Sequence, residues 1–221
     1  MRNQLFFAVA AAGAMLSALA ALPAAADTTD VLTYGSLAGT NVAAGDVVTS
    51  ALASGTTANF YSSATGTSGV TCSTSSFSGT VLTNPAAPGT ATESVTDQEF
   101  SDCSSNVLGV LGVTSVTVAN LPFSAVVDDS ADTITITGTD SAPVETTVVL
   151  STLLGSATCT YEADGDTVTG AVSNTDNSIT FTNQQFDLES GSSLCFSNGY
   201  FSATYAPVQD STASSAAVYV N

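Results

Sequence analysis

Apolar and polar residues alternate with a period of two along much of the chain, as in Thr133-Ile134-Thr135-Ile136-Thr137, which sets both isoleucines on one side and the threonines on the other. No apolar stripe of helical period long enough for a helix occurs beyond the first 26 residues. The alternation predicts strands at Ala58–Ser62, Val70–Ser73, Phe77–Thr83, Thr114–Ala119, Phe123–Val127, Thr133–Gly138, Glu145–Leu150, Ala157–Tyr161, Thr167–Val172, Ser178–Thr182, Tyr200–Tyr205 and Ala216–Val220. Turn residues separate them: Asn84-Pro85, Pro88-Gly89, Asp128-Asp129-Ser130, Asp164-Gly165 and Asn174-Thr175-Asp176-Asn177. Asp-Gly between two strand-like runs signals a hairpin, so residues 157–172 are expected to fold back about Asp164-Gly165. Many short strands at this spacing predict an all-β fold, an antiparallel β-sandwich, in a single domain over residues 27–221. Residues 27–68 could form a partly separate N-terminal segment.

Two stretches near 70–127 and 157–205 read as copies of one unit. The first carries Cys72, Gly79-Thr80-Val81, Ser94-Val95-Thr96, Gln98-Glu99-Phe100 and Cys103, and the second Cys159, Gly170-Ala171-Val172, Ser178-Ile179-Thr180, Gln184-Gln185-Phe186 and Cys195. Each is followed by Phe-Ser-Ala, at 123–125 and 201–203. The shared order points to duplication and to local disulfides, Cys72 with Cys103 and Cys159 with Cys195. A metal site is a poor use of these cysteines, which lie far apart without a CxxC pair or any histidine.

Residues 1–26 have the form of a secretory signal: Arg2 near the start, an apolar run from Leu5 to Leu22, and the small residues Ala24-Ala25-Ala26 before the expected cleavage. Four cysteines suit such an exported chain, because thiols outside the cell oxidise and stay paired. Cleavage after Ala26 removes the one basic side chain and none of the 19 acidic ones, taking the formal charge from −18 to −19. A body without Lys, Arg or His cannot neutralise phosphates, which excludes nucleic acid and anionic membrane surfaces as partners. N-terminal sequencing of the exported protein is expected to begin at Asp27, and trypsin to leave the reduced, denatured chain uncut. Recovery of Arg2 in the external protein would overturn both.

The same composition removes most catalytic chemistry. Without His or Lys there is no Ser-His-Asp or Ser-Lys nucleophile and no Schiff base, and phosphoryl transfer lacks its Lys and Arg. Carboxylates remain, and a glycoside hydrolase needs two of them at a defined separation. Most of the acids fall in predicted turns and are expected to titrate as solvated groups. Two dense clusters, Glu162 with Asp164 and Asp166, and Asp128 with Asp129 and Asp132, are the calcium candidates, although neither matches the EF-hand loop and aspartates populate hairpin turns for backbone reasons alone. No cofactor is implied. The aromatics Phe60, Tyr61, Phe77, Phe100, Phe123, Tyr161, Phe181, Phe186, Phe196, Tyr200, Phe201 and Tyr205 lie in strand-like segments and read first as core.

The order of Val70-Thr71-Cys72, the segment from Asn84 to Thr90, Cys103, Asn120-Leu121-Pro122-Phe123, Thr152-Leu153-Leu154-Gly155, Cys159 and the closing Val218-Tyr219-Val220-Asn221 resembles a family of small secreted actinobacterial proteins that join a signal peptide to a cysteine-paired all-β domain. Some of that family carry a twin-arginine signal, from which this chain departs in having Arg2 alone. More distantly, the cysteine order and Leu121-Pro122-Phe123 are similar to the secreted activator of alkane oxidation, PraB. That resemblance implies an extracellular accessory role near hydrophobic compounds or the cell surface.

Three functional classes follow. The first is a non-enzymatic extracellular structural or cell-surface protein with other surface components as partners. The second is an accessory binder of an apolar small molecule, and the third a carboxylate-dependent glycan enzyme. A cavity lined by Phe, Leu and Val would separate the second from the first, and two acids facing one cleft would favour the third.

Overall fold

The computed structural model describes residues 28–221, so the expected signal sequence lies outside the described residues. The body is all β, with sixteen strands: β1 (Leu32–Tyr34), β2 (Thr40–Asn41), β3 (Val47–Ala51), β4 (Ala58–Tyr61), β5 (Gly69–Thr83), β6 (Thr90–Ser105), β7 (Val110–Val118), β8 (Phe123–Asp128), β9 (Thr133–Thr137), β10 (Glu145–Thr152), β11 (Gly155–Ala163), β12 (Thr167–Ser173), β13 (Ser178–Gly191), β14 (Asn198–Tyr205), β15 (Gln209–Asp210) and β16 (Ala216–Val220). Among the described residues no helix is long and apolar enough to cross a membrane.

Two long strands, β6 and β13, organise the fold. Three paths of three strands each join them, all antiparallel: β8-β9-β12, β7-β10-β11 and β5-β4-β14. The first two paths with β6 and β13 close an eight-stranded barrel, and β3, β15, β16, β1 and β2 extend outward from β5. The expected two-sheet sandwich is therefore replaced by a closed barrel with outer strands. The reason lies in strand length: β6 and β13 are long enough to carry different neighbours on their two halves, so the sheets share them instead of facing each other as separate layers. Closure also satisfies backbone groups that a sandwich would leave at free edges.

The expected hairpin about Asp164-Gly165 does not form. Strands β11 and β12 do not pair with each other; both pair with β13, β11 along its second half (Cys159↔Gly191, Ala163↔Phe186) and β12 along its first (Gly170↔Phe181, Val172↔Ile179). Between them Asp164–Asp166 makes a single 3-10 turn, with Gly165 and Asp166 at φ of 64° and 55°. A longer strand is thus broken without reversing, because β13 provides partners on both sides of the break. The first copy of the repeated motifs has the unbroken counterpart: β5 runs along β6 with Cys72 opposite Cys103 and Gly79 opposite Val95.

Disulfides join Cys72 to Cys103 and Cys159 to Cys195, closing sequence separations of 31 and 36 residues. Loops of this length restrict the unfolded chain by on the order of 3–4 kcal/mol each in the chain-entropy picture. Alternation fills the interior as anticipated: Phe123, Ala125 and Val127 of β8 and Ile134 of β9 are buried. They belong to one continuous core with Val95, Val148, Phe181 and Tyr205.

Candidate functional site

Side chains from all three paths surround a cavity of about 90 Å³. Its wall is built from Phe60, Val70, Phe100, Val116, Phe123, Ile136, Val148, Val168, Phe181, Phe186, Phe201 and Tyr205, together with Val95 and Val118. Of the twelve aromatics read from the sequence, seven meet here. Phe181 stands edge-on to Tyr205 (centroids 6.2 Å apart) and tilted against Phe201 (5.9 Å), while Phe60 packs edge-on against Phe186 (5.7 Å) and Tyr161 (4.9 Å). Gly199 is required beneath Phe60, whose ring occupies the space that a β-carbon on residue 199 would take.

The polar side chains in this wall are Asn59, Gln98, Thr146 and Tyr205. Gln98 Nε2 donates to the Tyr205 hydroxyl (3.0 Å) and to Ser75 Oγ (2.9 Å), and Ser75 Oγ donates to the Glu99 carbonyl (2.7 Å). With the Ser75 proton committed there, the Tyr205 hydroxyl, 2.9 Å from Ser75 Oγ, donates to serine. Burial holds the Tyr205 hydroxyl above its ordinary pKa, the two hydrogen bonds offsetting only part of the rise, so it stays a neutral donor. The network satisfies its own buried groups and leaves the remaining wall apolar, the arrangement that admits an uncharged, largely apolar guest.

Next to this volume lies a smaller one of about 30 Å³, lined by Glu93 together with Leu32, Val127, Ile134, Ile179, Val218 and Val220. Strand alternation in β6 sets Glu93 on the inward face between Ala91 and Val95, all three buried. Burial alone raises its carboxyl from 4.5 to about 7. The expectation that the acids titrate as solvated groups fails at this residue, since the described residues include no Lys, Arg or His to hold the charge and an uncharged carboxyl is the form an apolar wall tolerates. The signal was in the sequence: Thr90-Ala91-Thr92-Glu93-Ser94-Val95 alternates in the pattern of a strand, with glutamate in an apolar slot. A second buried acid, Asp210, accepts from the backbone N–H groups of Thr212 (2.8 Å) and Ala213 (3.1 Å) through Oδ1, while its Oδ2 has no partner among the described residues.

The calcium candidates have other local roles. Asp128 Oδ1 accepts from the N–H groups of Ser130 (2.9 Å) and Ala131 (3.2 Å), and the Asp129 carboxylate accepts from Gly89 (3.0 Å), which pins the β6 and β8 ends together. Asp132 takes a left-handed turn position at φ 51°. Glu162 is separated from the Asp164–Asp166 turn by the end of β11 and instead lies opposite Glu145 and Asp187 on the neighbouring strands. Its carboxyl is raised, by desolvation first and then by Glu189, Glu145 and Asp166. Among the described residues no three His, Cys, Asp or Glu side chains are grouped to hold a metal ion.

Comparison with known protein families, characterised proteins and solved structures finds no match to this chain.

Proposed function

We propose that this protein is an exported, non-enzymatic binder of a small apolar molecule. The carrying observation is the cavity of about 90 Å³ enclosed by the three strand paths, walled by phenylalanine and valine and bounded by a self-satisfied Ser75–Gln98–Tyr205 network. It is smaller than the roughly 150 Å³ apolar cavity that admits benzene, so the fitting guest is a compact molecule or the end of an alkyl chain. The two disulfides suit export to an oxidising compartment. Glu93 is the one carboxylate among the residues lining either cavity, and a glycan-cleaving site needs two, which supports the non-enzymatic reading. The parallel placement of the two motif sets, β5 along β6 and β11–β12 along β13, supports an origin by duplication.

Xenon provides the test. In the exported protein, dissolved xenon is expected to shift the methyl resonances of Val70, Val95, Val116, Val148 and Val168, and Val116→Phe, which places a ring in the cavity, to abolish the shifts. Xenon that leaves those methyls unperturbed, or perturbs them equally in a folded Val116→Phe protein, would sink the proposal.

A further inference from the structure

One end of the barrel is apolar at its very tips. The β10–β11 connection is a two-residue loop, Leu153-Leu154, since Thr152 pairs with Gly155. Leu153 is 84% exposed and Leu154 fully exposed at 101%. Two-residue hairpin loops favour Asn, Asp and Gly, so turn chemistry does not ask for leucine here. Thr152 Oγ1 braces the loop by donating to the Gly155 carbonyl (2.8 Å), and Gly155 takes φ 116°, so the loop presents its leucines from a fixed frame. The register of β7 against β10, Val110 opposite Thr152, brings the β6–β7 turn alongside, with Leu108 at 96% and Leu111 at 64% exposure.

Charge is distributed to match. None of the 19 acidic residues lies in 103–113, 150–158 or 190–197, the segments that the strand registers bring to this end. At physiological salt, charges more than about 8 Å away are largely screened. The tip is therefore an uncharged apolar zone on a strongly anionic body. A protein with no basic side chain beyond residue 2 is repelled by anionic surfaces and has no side chain with which to pair an anionic partner.

We infer that this leucine-tipped end docks on an electrically neutral lipid surface, inserting Leu108, Leu153 and Leu154 past the head groups while the acidic remainder stays in water. Exposed apolar side chains at rigid loop tips gain by leaving water, and the loop backbones remain at head-group level where their polar atoms stay solvated. The inference uses different residues from the central cavity and stands without it.

Flotation of the exported protein with phosphatidylcholine vesicles tests it. The protein is expected to float with them and to float less as phosphatidylglycerol replaces phosphatidylcholine at low salt. Leu153→Ser with Leu154→Ser should weaken partition by about tenfold or more, with near-UV circular dichroism unchanged. Protein that stays in the aqueous fraction, or a folded double variant that floats as well as the parent, overturns the inference. So does leucine-dependent dimerisation in sedimentation without lipid accompanied by no flotation, which would assign the tip to a second copy of the chain.

Discussion

Replacing Phe181 by alanine should lower stability by about 3–5 kcal/mol and produce a protein that benzene partly restores. Phe181 is 5% exposed, lines the central cavity and contacts Tyr205 and Phe201. Its truncation removes the transfer free energy of the ring and enlarges a volume that is already unfilled at about 90 Å³. Strands on every side fix the surrounding backbone, so little collapse can relieve the loss. Benzene has the shape of the missing ring; at one hundred times its dissociation constant it would return about 2.7 kcal/mol. Urea denaturation with and without benzene measures both numbers. A cost below about 1 kcal/mol would mean that the walls close in and the cavity is not a rigid feature. A full cost without benzene recovery would mean that guests do not reach it.

The second large effect is a pH dependence set by Glu93. Its carboxyl is raised from 4.5 to about 7 in the folded protein. Between these values the folded state keeps a proton that the unfolded chain releases, so the stability from this residue is fully present below about pH 4.5 and is lost as pH rises to about 7. The window spans about 2.5 pH units, corresponding to about 3 kcal/mol. Glu93→Gln cannot ionise. Relative to the parent, it should be stabilised progressively from pH 4.5 to 7 and by a constant amount above that. Denaturant melts of both proteins across pH 4 to 8 yield the difference curve, in which the repulsion among the other carboxylates cancels. Parallel profiles would show that Glu93 is not the buried proton holder.

Much of the fold was legible where alternation was clean. Strands β8 and β9 lie within a residue of their expected positions, and both disulfides follow the repeated motifs. The barrel was not legible, because the two strands that create it are polar over much of their length, even where β6 alternates from Thr90 to Val95. Strand β6 reads Thr90-Ala91-Thr92-Glu93-Ser94-Val95-Thr96-Asp97-Gln98-Glu99, acidic on one face and interrupted on the other by Glu93, and it was absent from the expected strands altogether. Strand β13 was expected to stop at Thr182, yet it continues through Asn183-Gln184-Gln185 to Gly191. Hydrogen bonds to neighbours on both edges hold these polar runs extended, and intrinsic preference does not report such neighbours. The cavity was hidden for a related reason: its wall gathers aromatics from strands distant in sequence, each of which alone reads as ordinary core. The exposed leucines were visible as Thr152-Leu153-Leu154-Gly155, but their exposure depends on a loop length that only the register of β10 with β11 fixes.

Strand β1 pairs with β16, Leu32 opposite Val220 and Tyr34 opposite Val218, and Asn221 Nδ2 donates to the Asp30 carbonyl (3.0 Å) and Thr33 Oγ1 (2.9 Å). During synthesis at 5–20 residues per second, Tyr34 therefore waits roughly 10–40 s before its partner strand exists. Long-range pairing of this kind makes the search for the native topology slow. A nascent chain whose first strand must wait for β16 leaves the edges of β1 unpaired with it until almost the whole body has been made.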